Sequence, residues 1–287
     1  MAYQLFTDSG ANLSEEQTRE YNIKVISLPF IIEGKEYATC SNEDMAFAYK
    51  ALRNKIVVNT SAASTYSIIN ALEEELRKGN DVLYYVFSSG LSSTYDNALL
   101  AKKKLEEKYH HNKIIIIDSL SAALGHGLLM VYAAMKQKEG ATIDEVAKFL
   151  EDNKLKLNHL FTVDNMYFLM RGGRISKSTY MVARIAKIKP IMHTDNSGKL
   201  TAIGKVLGRK KSISELIELT IKTIRHPEDQ YVFIAHGDCE DEANYIKEEL
   251  SKRIKVKGFY VNYLVPTISA HSGPGTLAIF FLGDERI

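Results

Sequence analysis

The sequence has little of what would assign it at a glance. Of 287 residues only Cys40 and Cys239 are cysteines, far apart and in no Cys-x-x-Cys spacing. That argues against a disulfide framework and against a cysteine metal cage. No apolar run approaches the length of a membrane span. Met1-Ala2-Tyr3-Gln4 lacks the basic-then-apolar pattern of a secretory leader. The expected location is the cytoplasm, with no stable membrane insertion. Charge is nearly balanced, 37 basic against 35 acidic residues, which gives no reason to expect nucleic acid or an anionic surface as partner. The Gly-x-x-x-x-Gly-Lys-Ser/Thr phosphate loop and the Gly-x-Ser-x-Gly elbow are both missing. Gly125-His126-Gly127 lacks the third glycine of a dinucleotide fingerprint and reads as a packing position.

What is present is an ordinary globular composition, 45% hydrophobic and 25% charged, on a chain longer than one typical domain. The stretch Val86–Tyr95 organises it. Val82-Leu83-Tyr84-Tyr85 reads as a buried strand, and Leu99, Leu100 and Leu105 recur at helical spacing within Asp96–Lys108. Between them, Ser88, Ser89, Ser92, Ser93 and Thr94 crowd a strand-to-helix turn. Gly90 relaxes the backbone there, and Ser92 or Ser93 sits where an N-cap belongs. Free N–H groups and the positive end of a helix dipole face out of such a turn, which suits a carboxylate or phosphate. Capping of the helix is the alternative use of these hydroxyls.

The same pattern occurs at the strand Ile56–Asn59, the turn Thr60-Ser61-Ala62-Ala63-Ser64 and the helix Ser64–Lys78. Upstream, the strand Tyr3–Phe6 ends at Thr7-Asp8-Ser9, where Asp8 reads as a cap of the next turn. Ser14 and Gln17 then form a capping box, and Asn42–Arg53 is helical. Downstream, Ile114–Ile117 reads as a strand buried on both faces, which favours a parallel sheet. An Ala/Leu-rich helix follows from Ser121, with Gly125 and Gly127 admitting a close neighbour, and Thr142 and Glu145 open another helix. This alternation predicts α/β layers with a ligand site at the carboxyl ends of the strands.

From Leu157 the rhythm restarts. Strands are expected at His159–Val163, Lys189–His193, Lys199–Val206, Tyr231–Ala235, Phe259–Val265 and Thr276–Leu282. Helices are expected at Met166–Met170, Thr179–Ile188, Ser212–Ile224 and Glu240–Arg253. The fold class is therefore α/β: two layered α/β domains, 1–157 and 158–287, with the ligand site between them. Ser272-Gly273-Pro274-Gly275 forces a tight turn that holds His271 in a rigid loop, where its ring can donate to a carboxylate. An ordinary surface histidine is the alternative. Arg171-Gly172-Gly173-Arg174 is a phosphate grip, a docking patch or a solvated turn. His236-Gly237-Asp238-Cys239 lacks partners at ligand spacing, so no metal site is expected.

Taken together and in order, these segments resemble the DegV family of bacterial fatty-acid-binding proteins. The resemblance rests on Phe6-Thr7-Asp8-Ser9, Thr60-Ser61-Ala62-Ala63-Ser64, Ser88-Ser89-Gly90-Leu91-Ser92-Ser93-Thr94-Tyr95, Gly173-Arg174-Ile175-Ser176, Lys189-Pro190-Ile191 and His271-Ser272-Gly273-Pro274-Gly275. Ala62 and Ala63 stand where the family carries Gln and Pro, and Ser93 where it carries Gly. The resemblance implies a long-chain fatty acid such as palmitate buried between two domains, and no cofactor. It implies that Thr60, Ser61, Ser89, Ser92 and His271 hold the carboxylate, Ser92 being the first choice among the serines. It further implies a non-catalytic subunit that presents its lipid to a separate ATP-dependent fatty acid kinase, docked through Arg174 with help from Arg171. The rival reading is a hydrolase or phosphotransferase that uses Ser92 or Ser89 with His271 on a small anionic substrate. A lipid sensor is a third.

Overall fold

In the stretch Asp81–Val86 every residue is buried, which requires a strand covered on both faces. The structure, a computed structural model, describes residues 2–38, 40–182 and 188–287. Strands β1 (Tyr3–Asp8), β2 (Ile23–Ile26), β3 (Phe30–Ile32), β4 (Lys35–Tyr37), β5 (Val58–Thr60), β6 (Asp81–Val86) and β7 (Ile114–Asp118) come first in the chain. They form a parallel sheet of order β2-β1-β6-β7 and a small antiparallel sheet of order β4-β3-β5. β8 (Leu157–Thr162), β9 (Ile188–Thr194), β10 (Leu200–Leu207), β11 (Tyr231–His236), β12 (Gly258–Tyr263) and β13 (Leu277–Leu282) make a mixed sheet of order β10-β9-β8-β13-β11-β12.

The strand pleat sorts the core into layers. Phe6, Val82, Tyr84 and Val86 face the helices Thr65–Leu76 and Thr94–Glu106. Leu5, Leu83, Tyr85 and Ile117 face the helix Ala123–Lys138. Phe161, Phe233, Ala235, Ala278 and Phe280 of the mixed sheet join that same cluster. One helix therefore serves both sheets, and it is apolar around most of its circumference, as a fully buried helix must be. Its glycines make room on opposite sides. A Cβ at Gly127 would lie 2.5 Å from the Ala11 carbonyl, and one at Gly125 would lie 2.7 Å from both His159 and Phe280. The far face of the mixed sheet packs on the helices Arg209–Thr223 and Glu240–Arg253.

Several expectations are corrected in detail. Leu105 is buried as expected, but Leu99 and Leu100 are exposed, and the helix Thr94–Glu106 buries Ala98 and Ala101 in their place. Ile114–Ile117 does join a parallel sheet, but as its edge, so Ile115 and Ile116 are only half-buried. Gly90 serves close approach rather than an unusual φ: a Cβ there would lie 2.7 Å from the backbone of Ser197 and Gly198. Of the helix expected at Thr179–Ile188, residues 177–182 are helical, 183–187 lie outside the described residues and Ile188 begins β9. No helix among the described residues is long and apolar enough to cross a membrane, and Cys40 and Cys239 are both free thiols.

Candidate ligand site

A cavity of about 300 Å³ opens between the loops that follow β5 and β6 and the face of the mixed sheet. Thr60, Ser61, Ser92, Ser93, Arg174, His271 and Ser272 gather at one end of it. Leu28, Phe87, Leu169, Phe161, Ala278 and Phe280 are among the apolar residues that line the remainder. Ser61 and Ser93 are exposed, so the polar end is also the mouth. Thr60, Ser61, Ser92 and His271 thus come together as their loops suggested. Ser89 does not: it is exposed, its N–H donates to Asp118 Oδ1 at 3.1 Å, and it lies off the cavity wall.

Two chains of hydroxyls converge there. The Ala63 N–H donates to Thr94 Oγ1 at 3.3 Å, and Thr94 Oγ1 lies 2.9 Å from Ser92 Oγ. The Thr94 N–H also donates to Ser92 Oγ, at 3.2 Å. With Thr94 giving its own proton to Ser92, the Ser92 hydroxyl is left to donate to an anion. Ser93 occupies the N-cap position but makes no capping bond; Ser92 takes that part. Asn97 Nδ2 donates to the Ala63 carbonyl at 2.8 Å and ties the two loops together.

The second chain runs through His271. That residue lies in the last turn of the helix Pro266–Ser272, not in a loop, with Gly273 beyond it at φ 81°. Its Nε2 is 2.8 Å from Thr60 Oγ1. Burial, then the charges of Arg174 and Arg171, push its pKa down to about 4, so the ring is neutral near pH 7. Those same cations favour a bare Nδ1, which puts the proton on Nε2 and leaves the Thr60 hydroxyl free to donate outward. Nδ1 has no hydrogen-bond partner among the described residues and lies against Gly172. A Cβ on Gly172 would sit 2.1 Å from it. Gly172→Ala is therefore expected to swing the ring off Thr60 and weaken anion binding by roughly fivefold, the value of about one hydrogen bond. Unchanged affinity in a displacement titration would show that the His271–Thr60 contact has no part in binding.

The two arginines sit differently from each other. Arg174 lines the cavity; its Nε and Nη2 donate to the Leu91 carbonyl at 3.1 and 2.7 Å, and Nη1 donates to Gly172 O. It thereby fixes the turn that carries Ser92. Arg171 Nη2 donates to Ala270 O at 3.1 Å, its guanidinium lies over the Phe168 ring, and it is outside the cavity wall. Asp8 fixes the same turn from below. It caps its own turn by accepting from Gly10 N at 3.0 Å, and it also accepts from Phe87 N at 2.8 Å and from Tyr84 Oη at 3.3 Å. Burial raises its carboxyl to about 7 against those bonds.

Sequence reasoning missed Ser272, whose buried hydroxyl has no partner among the described residues, and the wall residues Phe161, His159, Ala278 and Phe280. Their signal was period-two spacing on two strands, which a plain core also shows. His236, by contrast, is buried with Nδ1 accepting from Cys239 N at 3.4 Å, a local structural contact.

Buried histidines give the fold a pH dependence. Burial holds His126 near 4 and His159 well below the usual range, and it also lowers His193 and His236. With His271 these are groups that the unfolded chain protonates near 6.5 and the folded chain does not, so acid favours unfolding. His126 and His271 each contribute on the order of 3 kcal/mol across that interval. Asp8 works in the opposite sense, since between about 4 and 7 the folded state keeps a proton the unfolded state has lost. Stability is expected to fall steadily from pH 6.5 to 4, and more steeply in Asp8→Asn. Urea midpoints that stay level over that range would contradict this.

Comparison with known proteins adds to the geometry. The DegV family model, described as uncharacterised protein, DegV family, matches residues 2–284. A DegV domain-containing protein of Clostridium perfringens is 39% identical over 285 residues, 98% of each chain. A DegV lipid-binding protein of Thermotoga maritima has a similar structure, with a TM-score of 0.87 at 28% identity over the whole of both chains. A second Thermotoga maritima protein, whose structure is described as revealing a fatty acid binding function, gives 0.85 at 28% identity with 99% of each chain covered.

Proposed function

The chain belongs to the DegV family, and on that footing we propose that it binds one long-chain fatty acid, such as palmitate, in the cavity between its sheets. The observation that carries this is a single pocket, hydroxylic at its mouth and apolar behind. Thr60, Ser92 and Ser272 would donate to the carboxylate, with His271 acting through Thr60 and Ser61 at the rim. Each buried methylene contributes about 0.8 kcal/mol, so a sixteen-carbon tail offers on the order of 10 kcal/mol before ordering costs. Desolvating the carboxylate is unfavourable unless several donors meet it, which the two hydroxyl chains supply. The tail sets affinity; the hydroxyls set orientation.

The division into units 1–157 and 158–287 is part of this reading, with Thr60 and Ser92 from the first and Arg174 and His271 from the second. So is presentation to a separate kinase in the cytoplasm, as the family resemblance implies. A carboxylate held at the exposed mouth by Ser61 and Ser93 would be within a partner's reach for phosphoryl transfer. The contacts of Arg174 with Leu91 favour a positioning role over docking. Arg174→Ala is then expected to lose lipid affinity together with acyl phosphate formation; loss of phosphate transfer alone would return it to docking.

The hydrolase reading needs a base beside a serine and an acid behind the base. His271 pairs with Thr60, and Gly172 occupies the place where an orienting carboxylate would sit. Ser121 and His159 are 2.6 Å apart, but Ser121 is fully buried and does not line the cavity. Native mass spectrometry tests the proposal. A fatty acid carried at one-to-one stoichiometry supports it; an empty protein that turns over esters or phosphate esters sinks it.

A further inference from the structure

Behind the cavity wall lies a buried pair of titratable groups that the lipid site does not use. Asp8 ends β1 and His126 lies in the first turn of the helix Ala123–Lys138; both are 0% exposed. The Asp8 carboxyl accepts from Phe87 N at 2.8 Å, and Phe87 lines the cavity. The Phe87 ring also lies against Gly10, where a Cβ would meet it at 2.4 Å, and its centroid is 6.4 Å from that of the His126 ring. Asp8, His126 and Phe87 thus make one packed unit at the root of the turn that carries Ser92.

The partners of this unit fix where its protons sit. His126 Nε2 is 2.9 Å from Tyr85 O and 3.0 Å from Thr7 Oγ1. A carbonyl can only accept, so Nε2 carries the ring proton and, on a neutral ring, Nδ1 is bare. Burial keeps the ring neutral at pH 7, since it pushes the imidazole down to about 4. Nδ1 has no hydrogen-bond partner among the described residues and lies 3.9 Å from Asp8 Oδ1. The groups that Asp8 bonds are all donors: Gly10 N, Phe87 N and Tyr84 Oη. The bare Nδ1 is therefore the acceptor open to an Asp8 carboxyl proton. Without that proton, two sets of lone pairs oppose each other in a dry interior.

No counter-charge takes the proton's place. On β6 the facing titratable group is Tyr84, whose phenol burial keeps neutral. β2 sets Ile26 beside Asp8. The helices Thr65–Leu76 and Thr94–Glu106, over this face of the sheet, bring Ile68, Leu72, Ala98 and Ala101. Among the described residues no lysine or arginine pairs with Asp8; its one cationic candidate is His126.

Resting on the fatty-acid reading above, we propose that Asp8 and His126 form a pair behind the cavity wall whose shared proton couples lipid binding to pH. An unprotonated Asp8 is an uncompensated negative charge in the same low-dielectric interior as the ligand's carboxylate, and like charges there raise each other's proton affinity. The coupling is reciprocal: a bound anion draws a proton onto the pair, and loss of that proton weakens the hold on the anion. Burial places the Asp8 titration near 7, so affinity falls as pH rises from 6 to 9.

The test is binding of a fluorescent fatty acid to delipidated wild type and to Asp8→Asn, whose amide keeps a neutral hydrogen-bonding group in place of the carboxyl. Any titration of the ligand's own carboxyl is common to the two proteins and cancels in the ratio of their affinities. Between pH 6 and pH 9 wild type is expected to lose about fivefold against the variant, the lower end for coupling between two sites. Calorimetry in buffers of different ionisation enthalpy should show wild type taking up about a third of a proton on binding at pH 7.5, as a group near 7 does when its affinity for the proton rises fivefold. Asp8→Asn should lack that uptake. In wild type alone, a fatty alcohol of the same length is uncharged and should bind without it, a comparison that stands even if Asp8→Asn does not fold. A ratio that stays level from pH 6 to 9, or moves in favour of wild type, overturns the proposal. Binding of the acid with no proton uptake, or with the uptake the alcohol shows, overturns it as well. Failure of acid and alcohol to bind at any pH overturns the fatty-acid reading itself.

Discussion

Thr60→Val is expected to weaken fatty-acid binding between about 10- and 100-fold, the range for one hydrogen bond to a charged group. The substitution keeps the shape of the side chain and removes its hydroxyl. Thr60 is where the second donor chain ends: His271 Nε2 lies 2.8 Å from Thr60 Oγ1, and with the ring proton on Nε2 the threonine proton is left for the mouth. Valine leaves the carboxylate one donor short and leaves Nε2 of the buried ring without its partner. The loss should be specific to the charged head. A fatty alcohol of the same length, which gains less from the donors, should bind wild type and Thr60→Val with a much smaller ratio. Equal losses for acid and alcohol would mean that the variant has damaged the cavity rather than the headgroup contact. A loss of less than threefold for the acid would remove Thr60 from the site.

Arg286→Met is expected to lower Tm by about 10 °C. The Arg286 side chain is buried, and burial pushes its pKa down to about 10. Among the described residues no carboxylate pairs with it directly; its guanidinium serves backbone carbonyls. Nε donates to Leu157 O at 3.0 Å, Nη1 to Leu120 O at 2.8 Å and to Asp195 O at 2.7 Å, and Nη2 to Lys154 O. These carbonyls belong to the start of β8, the loop after β7, the turn between β9 and β10, and the end of the helix Ile143–Asn153. One side chain thus holds four separate segments. Methionine fills the space and orphans the carbonyls, at a cost of about 3–5 kcal/mol. For a chain of this size each kcal/mol moves Tm by roughly 2–4 °C. Thermal unfolding followed by circular dichroism measures it, and a shift under about 2 °C would show that water replaces the guanidinium freely.

The layered α/β class, most strands and the capped helices were legible because each rests on local pattern: Ser14 with Gln17, Thr142 with Glu145, the isoleucine run before Asp118. The hydroxyl loops stood out for a related reason, since serine-rich turns mark helix starts, although capping and anion binding look the same at that level. What escaped depended on tertiary neighbours. Leu99 and Leu100 look like core residues in sequence, yet Ala98 and Ala101 take the buried face and the two leucines face outward. Ser89 and Ser92 look alike in sequence; only the Asp118 contact of one and the Thr94 contact of the other separate them. His159 sits in a strand whose partners assign it to a cavity rather than a core, and no local signal reports that. Arg174 was visible as an unusual charge between glycines, but its engagement with Leu91 spans 83 residues of chain.

The helix Ala123–Lys138 is wedged between both sheets and gives its residues to a core shared by the two. Large hinge bending about it would tear that core apart, so on the proposed function an acyl chain would enter through small local displacements at the mouth. Exchange of one lipid for another should accordingly be slow and temperature-sensitive, limited by loop breathing near Gly172 and Ser93 rather than by rigid-body opening.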